Sequence, residues 1–154
     1  MSVTTEPAQK AQLALRERLH GACVLCGATQ PHGLRLDFHV HEDGHVEATF
    51  DCHRRWQGYT GRLHGGVISA LLDSAMTHCL FARGRVGMTG ELKVRFLAPV
   101  DVDTPAVVKA WLVESHGPLH CLRAELTQEG AIKAKATAKF MEVPAAKAVG
   151  APFA

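Results

Sequence analysis

The segment Leu63–Ala82, LHGGVISALLDSAMTHCLFA, limits what this chain can fold into more than any other. Val67, Ile68, Leu71, Leu72, Ala75, Met76, Cys79 and Leu80 surround about four turns of helix on nearly every side, and a helix apolar all round has to be covered by other elements. One polar line crosses it. Ser69, Asp73 and Thr77 are spaced i, i+4, i+8 and so stand one above another on a single face. A carboxylate on such a helix is costly unless it is paired or used. Either Asp73 sits at an exposed seam, satisfied by neighbouring hydroxyls and backbone, or it carries chemistry.

The sequence on either side supplies the cover. Ala8 to His20 favours a short amphipathic helix lying on the surface, and GACVLCGATQPHG after it reads as an irregular linker. The period then changes to two. Leu34, Leu36, Phe38 and Val40 alternate with polar residues, Asp43-Gly44 marks a turn, and Val46, Ala48 and Phe50 alternate again, which predicts an antiparallel hairpin with one buried face. Four more strand segments follow the helix: Leu92 to Ala98, Ala106 to Ser115, and the pair Leu122–Leu126 and Ile132–Phe140 around the tight turn Glu129-Gly130. The row Ala134, Ala136, Ala138 suits a strand that a helix approaches closely. The expected architecture is α+β, a curved antiparallel sheet wrapped around one long central helix. Its expected divisions are an N-terminal helix and Cys-containing linker at 1–32, a core domain at 33–143 and a flexible tail at 144–154.

Composition narrows the function classes. With 154 residues, 47% apolar and 21% charged, the chain has the make-up of one globular domain. A net charge of +2 without a long Lys/Arg run argues against nucleic acid as a partner. No stretch is long and apolar enough to span a bilayer, and MSVTTEPAQK lacks the hydrophobic core of a secretory signal, so the expected location is cytoplasmic and the five Cys are expected to be reduced.

Chemistry is best placed at the start of the central helix. The first amides of a helix have no intrahelical partner and carry a partial positive charge. Gly65 and Gly66 leave that backbone bare, so a substrate oxygen can approach it, as an oxyanion does in acyl transfer. Asp73 lies about 12 Å further along, too far to act on the same carbonyl within one subunit. Two copies of the helix running antiparallel across a two-fold dimer would bring one start to the other's middle.

The strings HGGVISALLDSAM and MTGELKVRFLAPV carry a resemblance. They are similar to the hot-dog-fold acyl-CoA thioesterases of the phenylacetate-pathway type, the 4-hydroxybenzoyl-CoA thioesterase-like superfamily, over roughly residues 33–142. The resemblance implies that the Gly65 N–H polarises a thioester carbonyl, that Asp73 of the partner subunit activates water or attacks directly, that Thr77 orients the water, and that His64 shapes the acyl pocket. It also implies substrate contacts at Gly66, Gln57 and Thr89, with coenzyme A phosphates held by arginine. Arg83 and Arg95 are the preferred candidates among Arg54, Arg55, Arg62, Arg83, Arg85 and Arg95. Phe38, Trp56, Tyr59 and Met76 are candidate pocket linings. The expected assembly is a homodimer or a dimer of dimers, with no cofactor and no metal. Two other readings on the same fold are a non-catalytic acyl-CoA binder and an enoyl-CoA hydratase or dehydratase.

Cys23-x-x-Cys26 stands apart. It could form a zinc site with Cys52 and His53, or a redox pair. The second CxxC of such zinc modules and the helical context of a redox motif are both missing, so small buried residues are the favoured reading.

Overall fold

The computed structural model describes residues 5–150; expectations that fall on residues 1–4 and 151–154, the ends of the N-terminal stretch and of the tail, lie outside the described residues. The element order is α1 (Glu6–Leu19), β1 (His39–Val40), β2 (Val46–Phe50), a short 3-10 turn (Arg54–Trp56), α2 (Gly65–Phe81), β3 (Gly87–Phe96), β4 (Ala106–His116), β5 (Leu119–Gln128), β6 (Ala131–Glu142) and α3 (Ala145–Ala148).

All six strands form one antiparallel sheet in the order β1-β2-β4-β5-β6-β3. This corrects the expectation of a sheet wrapped around the helix. The sheet is open, with β1 and β3 as its two edges, and α2 lies on one face of it against β2 to β6. Half of the buried positions of β4, β5 and β6 are alanine (Ala106, Ala110, Ala124, Ala134, Ala136, Ala138), so the helix can settle close to the sheet. Its opposite side is covered by α1 rather than by sheet. A second helix thus does what closure of the sheet would have done.

Cover by α1 is polar at its centre. The buried residue of that helix is Gln12, 0% exposed, not one of its leucines. Gln12 Nε2 donates to Nδ1 of His78 on α2 at 2.7 Å, and Gln9 Nε2 reaches both Gln12 Oε1 and the carbonyl of Phe38. The Val40 N–H donates to Gln9 Oε1 at 2.8 Å. His78 stacks on Phe38 with ring centroids 4.4 Å apart, and burial pulls its pKa down to about 3. The ring is therefore neutral and structural.

The first hairpin is shorter than its alternation suggests. Only His39 and Val40 pair with β2. Leu34 and Leu36 instead donate to the carbonyls of Val24 and Leu25, and Arg35 between them has φ 54°. Alternating side chains predict one strand here, but the Cys-containing segment competes for that backbone. At the other edge β3 begins at Gly87, five residues before the first alternating position, because β6 is long enough to pair with it from Glu142 down to Ala134.

Candidate active site

The helix start is built by capping. His64 is the N-cap of α2, with ψ 135°, and its Nδ1 accepts the Gly66 N–H at 2.8 Å. Its own N–H donates to the Trp56 carbonyl, and Gly58 packs against its ring. The imidazole thus fixes the entry of the chain into the helix. It also takes up one of the two glycine amides proposed for substrate. No partner from the described residues takes the Gly65 N–H, the first amide of the helix. The Phe96 ring lies over this glycine, 3.6 Å from where a Cβ would stand.

The polar line on α2 separates into two kinds of group. Ser69 Oγ donates to the Gly65 carbonyl at 2.9 Å and Thr77 Oγ1 to the Asp73 carbonyl at 3.2 Å. Both hydroxyls are satisfied by the turn before them. Asp73 is different. Its carboxylate is half-buried, and its one side-chain partner among the described residues is Thr89, whose Oγ1 donates to Oδ1 at 2.7 Å. Burial pushes its pKa up, and the Thr89 bond only partly offsets this; the charge of Cys23 raises it further and His20 lowers it. Thr89 reaches the acid because the β3–β6 register shifts between Thr89 and Glu91, a bulge that re-aims the side chain.

Asp73, Thr77 and Thr89 share a cavity of about 340 Å³ with His20, Phe81 and Met88. Ala148 of α3 also lines it, so the segment after β6 contributes to the site. Gly65 and His64 do not line this cavity. Within one chain the bare amide and the acid stand apart, two turns of one helix between them.

Other candidates are placed elsewhere. Gln57 is exposed and its Oε1 accepts the Gly61 N–H at 3.0 Å, closing its own loop. Arg83 Nη1 is committed to the carbonyls of Gly44 and Cys79, where it ties the hairpin tip to the end of α2. Arg54, Arg62 and Arg85 pair with Asp103, Asp101 and Glu142, and Arg55 lies over Trp56. Arg95 has no ion-pair partner among the described residues and lines a groove of about 360 Å³ with Lys93 and Lys135. Of the proposed pocket aromatics and Met, Phe38 and Met76 are core residues at 0% exposure and Tyr59 is 89% exposed.

Reasoning from the sequence missed His20, which follows α1 and lines the acid's cavity. It also missed that this residue lies with Cys23 and Cys26, while Cys52 is buried elsewhere beside Phe50 and His53 caps the 3-10 turn. The spacing H-x-x-C-x-x-C, residues 20 to 26, was the available signal.

Residues 60–135 match the family model of the thioesterase superfamily. MIOREX complex component 3 of Saccharomyces cerevisiae is 28% identical over 95 residues; that match covers 60% of this chain but only 35% of the yeast protein, so the chain spans about a third of that relative's length. Among solved structures, the E. coli PaaI protein of the phenylacetic acid degradation operon aligns over 92% of this chain and 97% of its own, with a TM-score of 0.76 at 15% identity. A hypothetical thioesterase from Streptococcus pneumoniae TIGR4, solved with coenzyme A, aligns over 70% of this chain and 87% of its own, with a TM-score of 0.66 at 22% identity.

Proposed function

We propose that this chain, whose residues 60–135 match the thioesterase superfamily and whose fold aligns with that of the E. coli PaaI protein, hydrolyses an acyl-CoA thioester to the free acid and coenzyme A, at a site completed between two copies. The observation that carries the reading is the state of Asp73: a half-buried carboxylate whose one side-chain hydrogen-bond partner among the described residues is a neutral hydroxyl, with no ion pair to Lys or Arg among those residues and an open cavity in front of it. A structural acid would be paired. This one is held where desolvation makes it a stronger base, which is what activation of water requires.

The roles follow. The Gly65 N–H of one subunit holds the thioester carbonyl oxygen and takes the charge that develops on it. Asp73 of the partner removes a proton from water as the water oxygen bonds to the carbonyl carbon. The C–S bond then breaks, and the leaving thiolate takes up the proton held by Asp73, which yields coenzyme A and restores the carboxylate. Thr89 orients the carboxylate, Thr77 lines the site, and the His64 cap keeps the Gly65 amide pointing outward. Arg95 and Lys135, which have no ion-pair partner among the described residues, line a groove with Lys93 and offer the positive charge that coenzyme A phosphates need. In the pneumococcal thioesterase solved with coenzyme A the same fold is paired with the same ligand class.

A dimer fits the free edge of the sheet. β3 is ten residues long and unpaired on its outer side, and Met88, Phe96 and Leu97 are each about half exposed (53%, 53% and 49%). An unprotected edge with apolar side chains invites pairing with another strand. Edge-to-edge pairing of β3 about a two-fold axis sets the two α2 helices antiparallel and carries Gly65 of one copy toward Asp73 of the other.

The test is thiol release, read with DTNB, from a panel of aryl, short-chain and long-chain CoA esters, combined with a mixing experiment. Asp73→Asn and Gly65→Pro chains are each expected to be nearly inactive. Co-refolded in equal amounts, they should regain about a quarter of wild-type activity, since half the dimers are mixed and each of those holds one intact site. No recovery would place the site within one chain. Tight acyl-CoA binding without turnover across the panel would replace hydrolysis by binding.

A further inference from the structure

Outside the acid's own machinery, three metal-ligating side chains meet at the end of α1. His20 is the first residue after that helix; Cys23 and Cys26 follow on one turn. Their donor atoms all lie within 4.8 Å of one another. Cys26 Sγ is 3.5 Å from His20 Nδ1. A tetrahedral ion bonded at about 2.3 Å to sulfur and about 2.05 Å to nitrogen holds such a pair roughly 3.6 Å apart. The donors are therefore already near the separation that coordination requires.

The turn that presents them leaves little freedom. Gly27 N–H closes on the Cys23 carbonyl at 2.9 Å, and Cys23 N–H on the His20 carbonyl at 3.1 Å. A Cβ at Gly27 would stand 2.4 Å from the Cys23 nitrogen and 2.7 Å from the carbonyl oxygens of Cys23 and Gly21, so the residue after the second cysteine has to be glycine. The Leu25 N–H points at Cys23 Sγ from 3.4 Å, an arrangement that stabilises a thiolate. Cys26 is buried, and the His20 ring is set edge-on against Phe81 at 5.1 Å, which fixes its direction. Two thiols that were merely small core residues would need neither the backbone N–H on sulfur nor the imidazole beside them.

We propose that His20, Cys23 and Cys26 form a Cys2His site for zinc or a similar borderline-soft divalent cation, bordering the cavity that holds Asp73. Two thiolates and a neutral imidazole match the ligand preference of such an ion and balance its charge. Three protein donors leave the fourth position for water or a small ligand. His20 lines the same cavity as Asp73, so the ion lies next to the proposed active site without being part of the water-activating pair. Bound there, it also staples the end of α1 to the segment whose carbonyls at Val24 and Leu25 hold Leu34 and Leu36.

The test uses the full chain, kept reduced, stripped of metal and titrated with Co²⁺ and then Zn²⁺. One Co²⁺ per chain should bind, with cysteinate-to-cobalt charge-transfer absorption and the intense visible bands of a tetrahedral ion, and Zn²⁺ should displace it. Cys23→Ser/Cys26→Ser should lose the spectrum, and His20→Asn should weaken binding and alter the visible bands. In case the variants fold poorly, thiol protection is read on the wild type: Zn²⁺ should shield Cys23 and Cys26 from alkylation, located by mass spectrometry, while Cys121 reacts as before. Absence of cobalt binding, equal binding by the double serine variant, or alkylation of Cys23 and Cys26 indifferent to Zn²⁺ would overturn the proposal. None of these readouts depends on thioester hydrolysis, so its failure and that of the activity are separable.

Discussion

Asp73 and His78 lie five residues apart on α2, and both are titratable groups taken out of water, yet their surroundings differ. His78 faces α1. It is 0% exposed, stacked on Phe38 and bonded to Gln12. Asp73 faces a cavity, with one hydroxyl from the bulge in β3 as its partner. Desolvation favours the neutral form of each, lowering the histidine and raising the acid. One helix thus holds a group sealed under a neighbouring helix and a group left open to a cavity. His78 is held by Gln12 through Nδ1 and packed on Phe38, although its buried Nε2 has no partner among the described residues. Asp73 is left with proton affinity and room for a ligand, and in that contrast lies the case for it as the reactive residue.

The contrast can be broken most directly at the acid. Asp73→Asn is expected to lower turnover on the order of 10²–10⁴-fold, the usual contribution of a positioned base. It should at the same time raise the thermal midpoint, because the folded state no longer holds a desolvated carboxylate. A fall in both, by thiol release and calorimetry, would make Asp73 a structural residue after all. Gly65→Pro comes next. Proline is accepted at the first helical position, and His64 before it already has the extended ψ of 135° that proline demands. The N–H is lost and a ring is added beside Phe96, so turnover should drop by at least about 10²–10³-fold with the helix intact by circular dichroism.

On the other side of the helix the expected effect is on stability alone. Gln12→Leu leaves His78 Nδ1 without a donor and should cost about 1–3 kcal/mol in chemical denaturation. The same histidine sets a pH dependence. Its folded pKa, about 3, lies below the ordinary histidine value of 6.5, so the unfolded chain binds the extra proton in between. Its contribution is whole above about pH 6.5 and is lost as pH falls toward 3, by up to about 1.4 kcal/mol per unit. Stability measured by urea titration from pH 7 to pH 4 should decline, and Gln12→Leu should not remove that slope. The smallest effect sharpens the acid's side. Thr89→Val removes the bond that holds the Asp73 carboxyl down, so the acid limb of kcat/KM should move to higher pH. A limb unmoved by this change would mean that another group sets it.

Much of this was legible locally. The apolar ring around Val67 to Leu80, the alternation from Ala106 to Phe140 and the Gly turns place α2 and the longer strands, since period and turn chemistry report which side of a segment is covered. Asp73 and Gly65 stood out because a carboxylate and a bare helix start are unusual in that setting. The alternation from Leu34 misled, because side-chain phase cannot say which backbone will pair with which.

What the chain determined alone is therefore the kind of each segment, its buried side and the two groups worth suspecting. Tertiary structure decided that the sheet stays open with β3 at its edge, that Gln12 rather than a leucine meets α2, that a bulge turns Thr89 onto Asp73 from 16 residues away, and that His20 joins Cys23 and Cys26 beside the same cavity. Local pattern is set by which face meets water. These others depend on register and on the docking of segments remote in sequence, where the choice lies between partners that look alike from within the chain.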